Sequence, residues 1–510
     1  MSEPMGAPGV RTPSTADRGF FGHPTGLSTL FFTEMWERFS YYGMRAILTL
    51  YMTKSLVEGG LALDERYASV IYATYVSSVW YLPLIGGWLA DKVFGARRAV
   101  LIGGIIIACG HYSMAINSHL TFYLGLILIA CGTGLLKPNI SAMVGQLYSD
   151  EDKRRDAGFS IFYMGINLGA FLSPIVVGFL AQSNWFRNLI SSMGLNPNSS
   201  WHWGFGAAGV GMTLGIIQYL LGRRRLAGVG DKPMPTQTAE PTTGVDYITI
   251  ILAVVGGTIG AVAGFKWGDA GVLSALFPTV VGFFTGYLIG ITRHLNGEEL
   301  KRVLVIFILF LFSILFWMTY EQAGSSLTLF ADRLTRTTLF GWQYPSSWFQ
   351  SVPAIFVIIL APIIGAVWQR LGDRQPSSPG KFTIGLFFAG IAFVVIAVAS
   401  TLTGAGRVSP MWLVVVYFLQ TIGELCLSPV GLSTVTKLSP ARMVGLMLGV
   451  WFLSISIGSY IAGLTTRLFE GNDPSVLTKA FGIFAGITLV AALILAVLTP
   501  LIKRLTPRAA

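Results

Sequence analysis

Long apolar stretches recur along almost the whole chain, from about residue 27 to residue 502. Each is long enough to cross the hydrocarbon core of a bilayer as a helix, which needs about 20 mostly apolar residues. Only 12% of the residues are charged, half of what a soluble domain carries, and the mean hydropathy is +0.65. The pattern predicts an all-α polytopic membrane protein. It excludes a soluble enzyme, a disordered chain and a single-span anchor.

Fourteen spans can be placed between the more polar segments of the chain. Their approximate ranges are 27–54, 67–90, 98–118, 120–147, 157–182, 202–222, 246–264, 272–292, 302–331, 347–369, 382–402, 410–436, 443–466 and 477–502. Residues 1–26 and 503–510 are expected to be terminal tails. The segment 226–245, which is rich in Pro and Thr, is expected to be a linker.

Lysine and arginine residues are distributed unequally between the two sets of predicted loops. If the N-terminus is cytoplasmic, 23 of the 35 lie on the cytoplasmic side, 8 on the other side and 4 inside spans. Cytoplasmic loops of membrane proteins carry the excess of positive charge. We therefore expect a multi-pass protein of the inner (plasma) membrane with both termini in the cytoplasm. The net charge of +11 then requires no nucleic-acid partner.

Segments of the first half resemble segments of the second half in the same order. Residues 131–144 (CGTGLLKPNISAMV) align with 422–435 (IGELCLSPVGLSTV), and 162–171 (FYMGINLGAF) align with 451–460 (WFLSISIGSY). Parallel repeats of this kind occur in transporters. The repeat predicts two bundles of six helices each. Spans seven and eight have no counterpart, and we expect them to form an inserted two-helix hairpin. The predicted parts are the bundles 27–225 and 294–502 and the hairpin 246–293.

Seven charged side chains fall inside the predicted spans. A charge in the hydrocarbon region costs several kcal/mol unless it is paired or hydrated, so it usually marks a functional pathway. The seven residues are Glu34, Glu37, Arg38, Arg45, Lys137, Glu321 and Glu424. The four in the first span share one helix face with Tyr41 and Tyr42, within about 140°. We expect this face to meet a water-filled cavity or other charges.

The signs of these charges differ between the two halves of the sequence. The first half supplies the cations Arg38, Arg45 and Lys137. The second half supplies the isolated carboxylates Glu321 and Glu424. A cavity lined by both would suit a zwitterion such as a peptide or an amino acid. Structural ion pairing in the first span, and a neutral helix–helix hydrogen bond at each glutamate, are the alternative interpretations.

Four stretches carry a resemblance to known proteins. Residues 34–43 (EMWERFSYYG), 162–169 (FYMGINLG) and 423–433 (GELCLSPVGLS) resemble motifs of the proton-dependent oligopeptide transporter family of the major facilitator superfamily. Residues 87–98 (GWLADKVFGARR) are similar to a loop motif of the superfamily. The resemblance covers residues 27–502. It implies a major facilitator fold of two six-helix bundles, with the two inserted helices that bacterial members carry.

The resemblance also implies a function and a set of site residues. The chain would be a proton-coupled symporter that imports di- and tripeptides by alternating access. It would act as a monomer in the lipid bilayer, without a metal, a cofactor or catalytic residues. The residues implied to carry the coupling proton are Glu34, Glu37, Arg38 and Glu321. The residues implied to bind substrate are Tyr41, Tyr42, Arg45, Lys137, Asn167, Trp317, Glu424 and Trp451.

The resemblance implies separate contacts for the two charged ends of a peptide. Arg45 and Lys137 would hold the C-terminal carboxylate through charge-assisted hydrogen bonds, and Glu424 would take the N-terminal amine. Asn167 would bind the peptide backbone. The aromatic residues of the set would line the pockets for the peptide side chains.

At two positions the roles implied by the family resemblance are undecided or altered in this sequence. One tyrosine of the second span lines the cavity in the family, and the sequence does not decide between Tyr75 and Tyr81. Pro353 stands where the family often has an asparagine. Glu424 would therefore bind the substrate amine with less help from an amide side chain.

Two other functions stay open at this stage. A carrier of nitrate or another small anion on the same fold would leave Glu424 without a role, because nitrate has no amine. A membrane enzyme is the more remote alternative. The five histidines form no HExxH pattern, and the chain has no Walker A motif. The sequence therefore favours a peptide symporter.

Overall fold

The computed structural model of this protein describes residues 17–149, 152–226, 228–230, 246–268, 270–440, 443–469 and 473–505. Most of the predicted N-terminal tail and linker, and the last five residues of the C-terminal tail, lie outside the described residues. The described part of the chain is almost entirely helical.

Within these ranges the chain forms sixteen α-helices and two short strands. The helices are α1 (Thr25–Thr53), α2 (Glu65–Leu89), α3 (Ala96–Met114), α4 (His119–Gln146), α5 (Arg155–Gln182), α6 (Asn184–Ser192), α7 (Ser200–Gly222), α8 (Tyr247–Trp267), α9 (Val272–Thr292), α10 (Gly297–Tyr320), α11 (Ser326–Leu334), α12 (Val352–Leu371), α13 (Ser378–Thr401), α14 (Met411–Leu438), α15 (Val444–Thr465) and α16 (Pro474–Leu505). The strands are β1 (Thr338–Leu339) and β2 (Trp342–Gln343).

The two strands form a tight antiparallel hairpin. Thr338 lies opposite Gln343, and Phe340 and Gly341 form the turn. Both turn residues have positive φ, 50° and 80°, as a type I′ turn requires. The sequence analysis did not predict this hairpin or the short helix α6.

Twelve helical segments of the described chain are long and apolar enough to cross a membrane. Two further helices, α1 and α3, have 29 and 19 residues. These two helices are more polar than the twelve, because α1 carries four of the seven charged residues singled out in the sequence and α3 carries Arg97 and Arg98 in its first turn. The multi-pass helical character is confirmed, whereas the number fourteen stays a prediction.

The ninth predicted span is not one continuous helix. α10 ends at Tyr320, and a 3-10 turn over Glu321–Gly324 separates it from α11. At Gly324 any side chain would overlap the Tyr72 hydroxyl and approach Arg45 Nε to within 2.8 Å. The glycine therefore lets the turn pack directly against these polar groups. A hydropathy pattern cannot show such a break, because the flanking residues are apolar on both sides.

The chain divides into two compact units. The first takes its residues from Met1–Tyr42, Leu82–Ser173 and Phe205–Pro235, and the second from Gly43–Tyr81, Pro174–Gly204 and Thr236–Ala510. Helices α1, α2, α5 and α7 each contribute residues to both units. The two predicted six-helix bundles stay a prediction.

In the first unit, α3 and α4 pack closely through small residues. A Cβ on Gly103 would lie 2.6 Å from the Gly132 carbonyl oxygen, and a Cβ on Gly132 equally close to the Gly103 carbonyl. Small residues at a helix interface let two backbones approach each other in a membrane. This packing fixes the position of α4, the helix that carries Lys137.

In the second unit, α10 packs against α13 and α15. Phe316, Phe382 and Trp451 belong to this apolar core. The hydroxyls of Ser313 and Ser454 lie 2.8 Å apart and join α10 to α15. The packing fixes the last turn of α10, where the candidate site begins.

Candidate functional site

Three charged side chains of α1 form a buried cluster in the first unit. Arg38 Nε lies 2.7 Å from Glu34 Oε1 and 3.1 Å from Glu37 Oε2. None of the three side chains is more than 5% exposed. Glu34 precedes Arg38 by one helical turn, the spacing at which two side chains of a helix meet. The polar face predicted for the first span is thus realised as a network of ion pairs.

Lys137 of α4 adds a second cation to this network. One guanidinium facing two carboxylates leaves one excess negative charge, which is costly in a low-dielectric environment. The half-buried Lys137 lies close enough for its charge to act on Glu37. With Lys137 the network has two acids and two bases. We call these four residues the first charge cluster.

Tyr41, Tyr42 and Asn167 also belong to the first unit. The rings of Tyr41 and Tyr42 have their centroids 5.1 Å apart, and Tyr42 is near enough to act electrostatically on Arg38. The Asn167 side-chain amide donates to the Tyr163 carbonyl at 3.0 Å, one turn earlier in α5.

Arg45, also on α1, makes an ion pair within the second unit. Its Nη2 lies 2.5 Å from Glu321 Oε2, and its Nε donates to the Tyr72 hydroxyl at 3.0 Å. The two charged side chains are 8% and 5% exposed. The Thr49 hydroxyl donates to the Gly324 carbonyl at 2.9 Å and fastens α1 to the 3-10 turn. Arg45, Tyr72 and Glu321 are called the second charge cluster below.

The description of Glu321 as an isolated carboxylate is wrong, and the partner of Glu424 is an uncharged hydroxyl. Glu321 is paired with Arg45, and Glu424 accepts a hydrogen bond from the Tyr320 hydroxyl at 2.5 Å. Arg45 is 276 positions away from Glu321 in the sequence. Periodicity within one helix cannot reveal a partner that the fold supplies from another helix.

The remaining predicted residues of the second unit are aromatic. Trp317 stacks edge-on against Tyr320, with ring centroids 5.3 Å apart, and thus adjoins the Tyr320–Glu424 hydrogen bond. Trp451 is 1% exposed and packs against Phe382 at 5.8 Å. Both tryptophans belong to the apolar core of the second unit, and Trp317 also lies next to a polar contact.

The sequence analysis missed two tyrosines of the site, Tyr72 and Tyr320. The analysis weighed only Tyr75 and Tyr81 on the second span, although Tyr72 lies one turn before Tyr75. Tyr320 is adjacent to Glu321 in the sequence, and this proximity to a buried acid was a usable signal.

Replacing Tyr72 with phenylalanine tests its role in orienting Arg45. The change removes a hydrogen bond to a charged group, worth about 1.5 kcal/mol. We expect the KM for dialanine uptake to rise by about tenfold, because the guanidinium loses a fixed orientation. Tyr67→Phe, at an exposed position of the same helix, serves as the control and should leave KM unchanged. An unchanged KM in Tyr72→Phe would show that Tyr72 does not position Arg45.

The two clusters have the chemistry of proton exchange rather than of bond cleavage. Each combines carboxylates with permanently charged guanidinium groups, and protonation of a carboxylate removes its attraction for the paired cation. Among the described residues, no group of three or more His, Cys, Asp or Glu side chains could hold a metal ion.

Comparison with known proteins identifies the family. The profile of the POT family matches residues 97–484. The chain is 37% identical over 512 residues to the peptide transporter YePEPT of Yersinia enterocolitica subsp. palearctica, with 97% of each chain covered. It is 35% identical over 491 residues to the di-/tripeptide transporter of Lactococcus lactis subsp. cremoris, covering 93% of this chain and 96% of the relative.

A solved structure supports the same conclusion at the level of the fold. A crystal structure of a POT peptide transporter in complex with alafosfalin matches with a TM-score of 0.84 and 42% sequence identity, covering 97% of this chain and 99% of that one. This match, with the family profile and the membrane-spanning helices, defines the chain as a transporter of the major facilitator fold. The chain belongs to the POT family. The resemblance stated from the motifs is therefore confirmed, and the protein is a transporter rather than an enzyme.

Proposed function

We propose that the protein is a symporter that takes up di- and tripeptides together with protons. Relatives named as peptide and di-/tripeptide transporters supply the substrate class. The observation that carries the proton coupling is the buried ion pair between Arg45 and Glu321. We further propose that the protein acts as a monomer in the inner membrane with both termini in the cytoplasm, as the loop charges indicate.

The Arg45–Glu321 ion pair links proton binding to peptide binding. A proton on Glu321 neutralises the carboxylate, while Arg45 keeps its positive charge. The peptide carboxylate can then replace Glu321 as the partner of Arg45, so the buried charge stays balanced in both states. Because each ligand favours the same open ion pair, the coupling is reciprocal, and the proton promotes peptide binding as the peptide promotes protonation.

Glu424 is proposed to bind the amine of the peptide. It lies in the same unit as Arg45 and Glu321, and its partner in the structure is the neutral hydroxyl of Tyr320. A hydroxyl does not neutralise a carboxylate, so an ammonium group is a better partner. Two charged anchors at a fixed separation would select di- and tripeptides over single amino acids and longer peptides.

Replacing Glu424 with glutamine tests this amine contact. We expect the affinity for dialanine to fall by about tenfold or more, because a charge-assisted hydrogen bond worth about 1.5 to 3 kcal/mol is lost. The matched control is N-acetyl-dialanine, which has no ammonium group and should bind the parent and the variant equally weakly. Equal affinities of both proteins for dialanine would remove Glu424 from the amine site.

The other residue roles in the proposal come from the family resemblance. The first charge cluster would relay the coupling proton through Glu34, Glu37 and Arg38. The buried, nearly neutral network is consistent with a site that exchanges protons. Lys137, Asn167 and the aromatic residues Tyr41, Tyr42, Trp317 and Trp451 stay proposed substrate contacts. Alternating access of two six-helix bundles would expose the substrate site to each side in turn.

Nitrate transport, the first alternative from the sequence, has no support from the relatives described above. Both relatives are named as transporters of peptides.

Uptake into liposomes tests the proposed function. The purified protein is reconstituted, and uptake of dialanine, trialanine, tetra-alanine, alanine and nitrate is measured with and without an inward proton gradient. We expect only dialanine and trialanine to accumulate, and only with the gradient. Dialanine uptake that ignores the gradient would contradict symport, and nitrate uptake would contradict the substrate class.

A further inference from the structure

A recess of about 440 Å³ lies in the first unit, and none of its lining residues belongs to the first charge cluster. It is formed by the segment before α1, by the first turns of α1 and by the last turns of α7. The lining residues on which the argument depends are Phe20, Ser28, Phe32, Gln218 and Arg225. Ser28 and Phe32 are one turn apart on α1 and share one side of that helix. Gln218 lies in the last turns of α7, and Arg225 lies in the 3-10 turn that follows α7.

The recess has a cationic end formed by Arg225. Arg225 Nη1 donates to the Ser28 hydroxyl at 3.3 Å, and Ser28 donates to the Thr25 carbonyl at 2.7 Å. A guanidinium has five N–H donors, so this contact leaves donors for an anion. Arg225 is also the last of three consecutive arginines, 223–225, which make the 3-10 turn directly after α7 strongly basic.

One carboxylate borders the cationic end of the recess. Asp17 accepts hydrogen bonds from the backbone nitrogen and the hydroxyl of Thr25, both at 2.8 Å. These bonds, with the nearby charge of Arg154, lower the pKa of Asp17, so it is ionised at neutral pH, although burial opposes the shift. Thr25 is therefore committed to Asp17, and the anion-binding group is Arg225.

The other end of the recess is apolar and faces outward. Phe32 lies one turn beyond Ser28, and its side chain is partly exposed. On α7, Ile217 directly precedes Gln218 and Leu221 follows it by about one turn, and their side chains are 47% and 78% exposed. In a membrane protein such exposed apolar side chains face the lipid. The recess thus passes from an arginine cluster to a lipid-facing surface within about two helical turns.

We propose that this recess binds the headgroup of an anionic phospholipid, with Arg225 on the phosphate and an acyl chain along Phe32. Basic pockets at the ends of membrane helices recognise anionic headgroups, and arginine pairs with phosphate in a bidentate manner. A free anion would use the cationic end only. The adjoining apolar surface favours a lipid as the occupant.

Thermal unfolding of the full-length protein in detergent tests this proposal. The protein is titrated with phosphatidylglycerol, phosphatidylcholine or glycerol 3-phosphate, and an apparent Kd is obtained from the rise in Tm, since a ligand that binds only the folded state stabilises it. We expect phosphatidylglycerol to bind at least about tenfold more tightly than phosphatidylcholine, with no effect of glycerol 3-phosphate.

Variants of the recess test whether phosphatidylglycerol binds there. Arg225→Gln should weaken the binding of phosphatidylglycerol by about tenfold. Arg224→Gln, the matched control, removes an exposed arginine that does not line the recess, and it should bind as the parent does. Gln218→Glu adds a negative charge inside the recess and should also weaken binding, which provides a second test if Arg225→Gln does not fold. Parent-like binding by the folded Arg225→Gln or by Gln218→Glu would overturn the site. If glycerol 3-phosphate raised the Tm as much as phosphatidylglycerol does, the occupant would be a free anion and not a lipid.

Discussion

Replacing Glu321 with glutamine is expected to abolish accumulation of dialanine driven by a proton gradient. Glutamine cannot exchange a proton, so Arg45 is no longer released by protonation and the linkage between the two ligands is lost. A coupling free energy of about 3 kcal/mol corresponds to a change on the order of 100-fold. Gradient-driven uptake should fall by this order, whereas exchange of labelled for unlabelled dialanine at equal pH should persist.

The control for this variant is Glu298→Gln in α10, the helix that ends directly before Glu321. Glu298 is exposed and pairs with Lys301 at 2.7 Å near the start of α10. Exposed ion pairs contribute little to stability, so this variant should transport as the parent does. Gradient-driven accumulation by Glu321→Gln at the level of Glu298→Gln would show that the coupling proton is carried elsewhere.

Replacing Arg38 with glutamine is expected to have the largest effect on stability. The change leaves Glu34 and Glu37 buried with one cation fewer, and removing one partner of a buried ion pair costs about 3 to 5 kcal/mol. We expect a clear fall in Tm in detergent and a loss of uptake. Arg98→Gln, at an exposed position of the same unit, should leave both unchanged.

A double variant separates charge balance from loss of packing. Arg38→Gln with Glu37→Gln removes one charge of each sign, so the buried cluster regains its formal neutrality. The double variant should be more stable than Arg38→Gln alone, with a coupling energy of about 1 to 3 kcal/mol between the two positions. Additive losses of stability would contradict the description of the first charge cluster as an electrostatic unit.

The sequence predicted the fold class because the physics of the bilayer restricts it strongly. Helices that cross hydrocarbon must be long and apolar, so most spans could be placed within a few residues of the observed helices. Charges in such helices are rare, and for that reason the buried ionic residues were recognisable as candidates. The same reasoning found the polar face of α1 from the positions of Glu34, Glu37 and Arg38 alone.

The pairing of the charges could not be predicted in the same way. Helical periodicity brings Glu34 to Arg38, but the contact of Arg45 with Glu321 depends on how α1 packs in the second unit. The 3-10 turn after Tyr320 and the contribution of Tyr72 depend on the same packing. Long-range partners of this kind leave no local pattern in one sequence, so only the list of candidate residues was accessible and not their partners.

The central claim is that the proton replaces Arg45 as the partner of Glu321 while the peptide carboxylate replaces Glu321 as the partner of Arg45, so that the two ligands bind together. Calorimetry of dialanine binding in buffers of different ionisation enthalpy measures it most directly, because it counts the protons taken up by the protein on binding. The ion-pair account predicts net proton uptake by the parent and a clear loss of this uptake in Glu321→Gln. The same proton uptake in both proteins, or none in the parent, would contradict it.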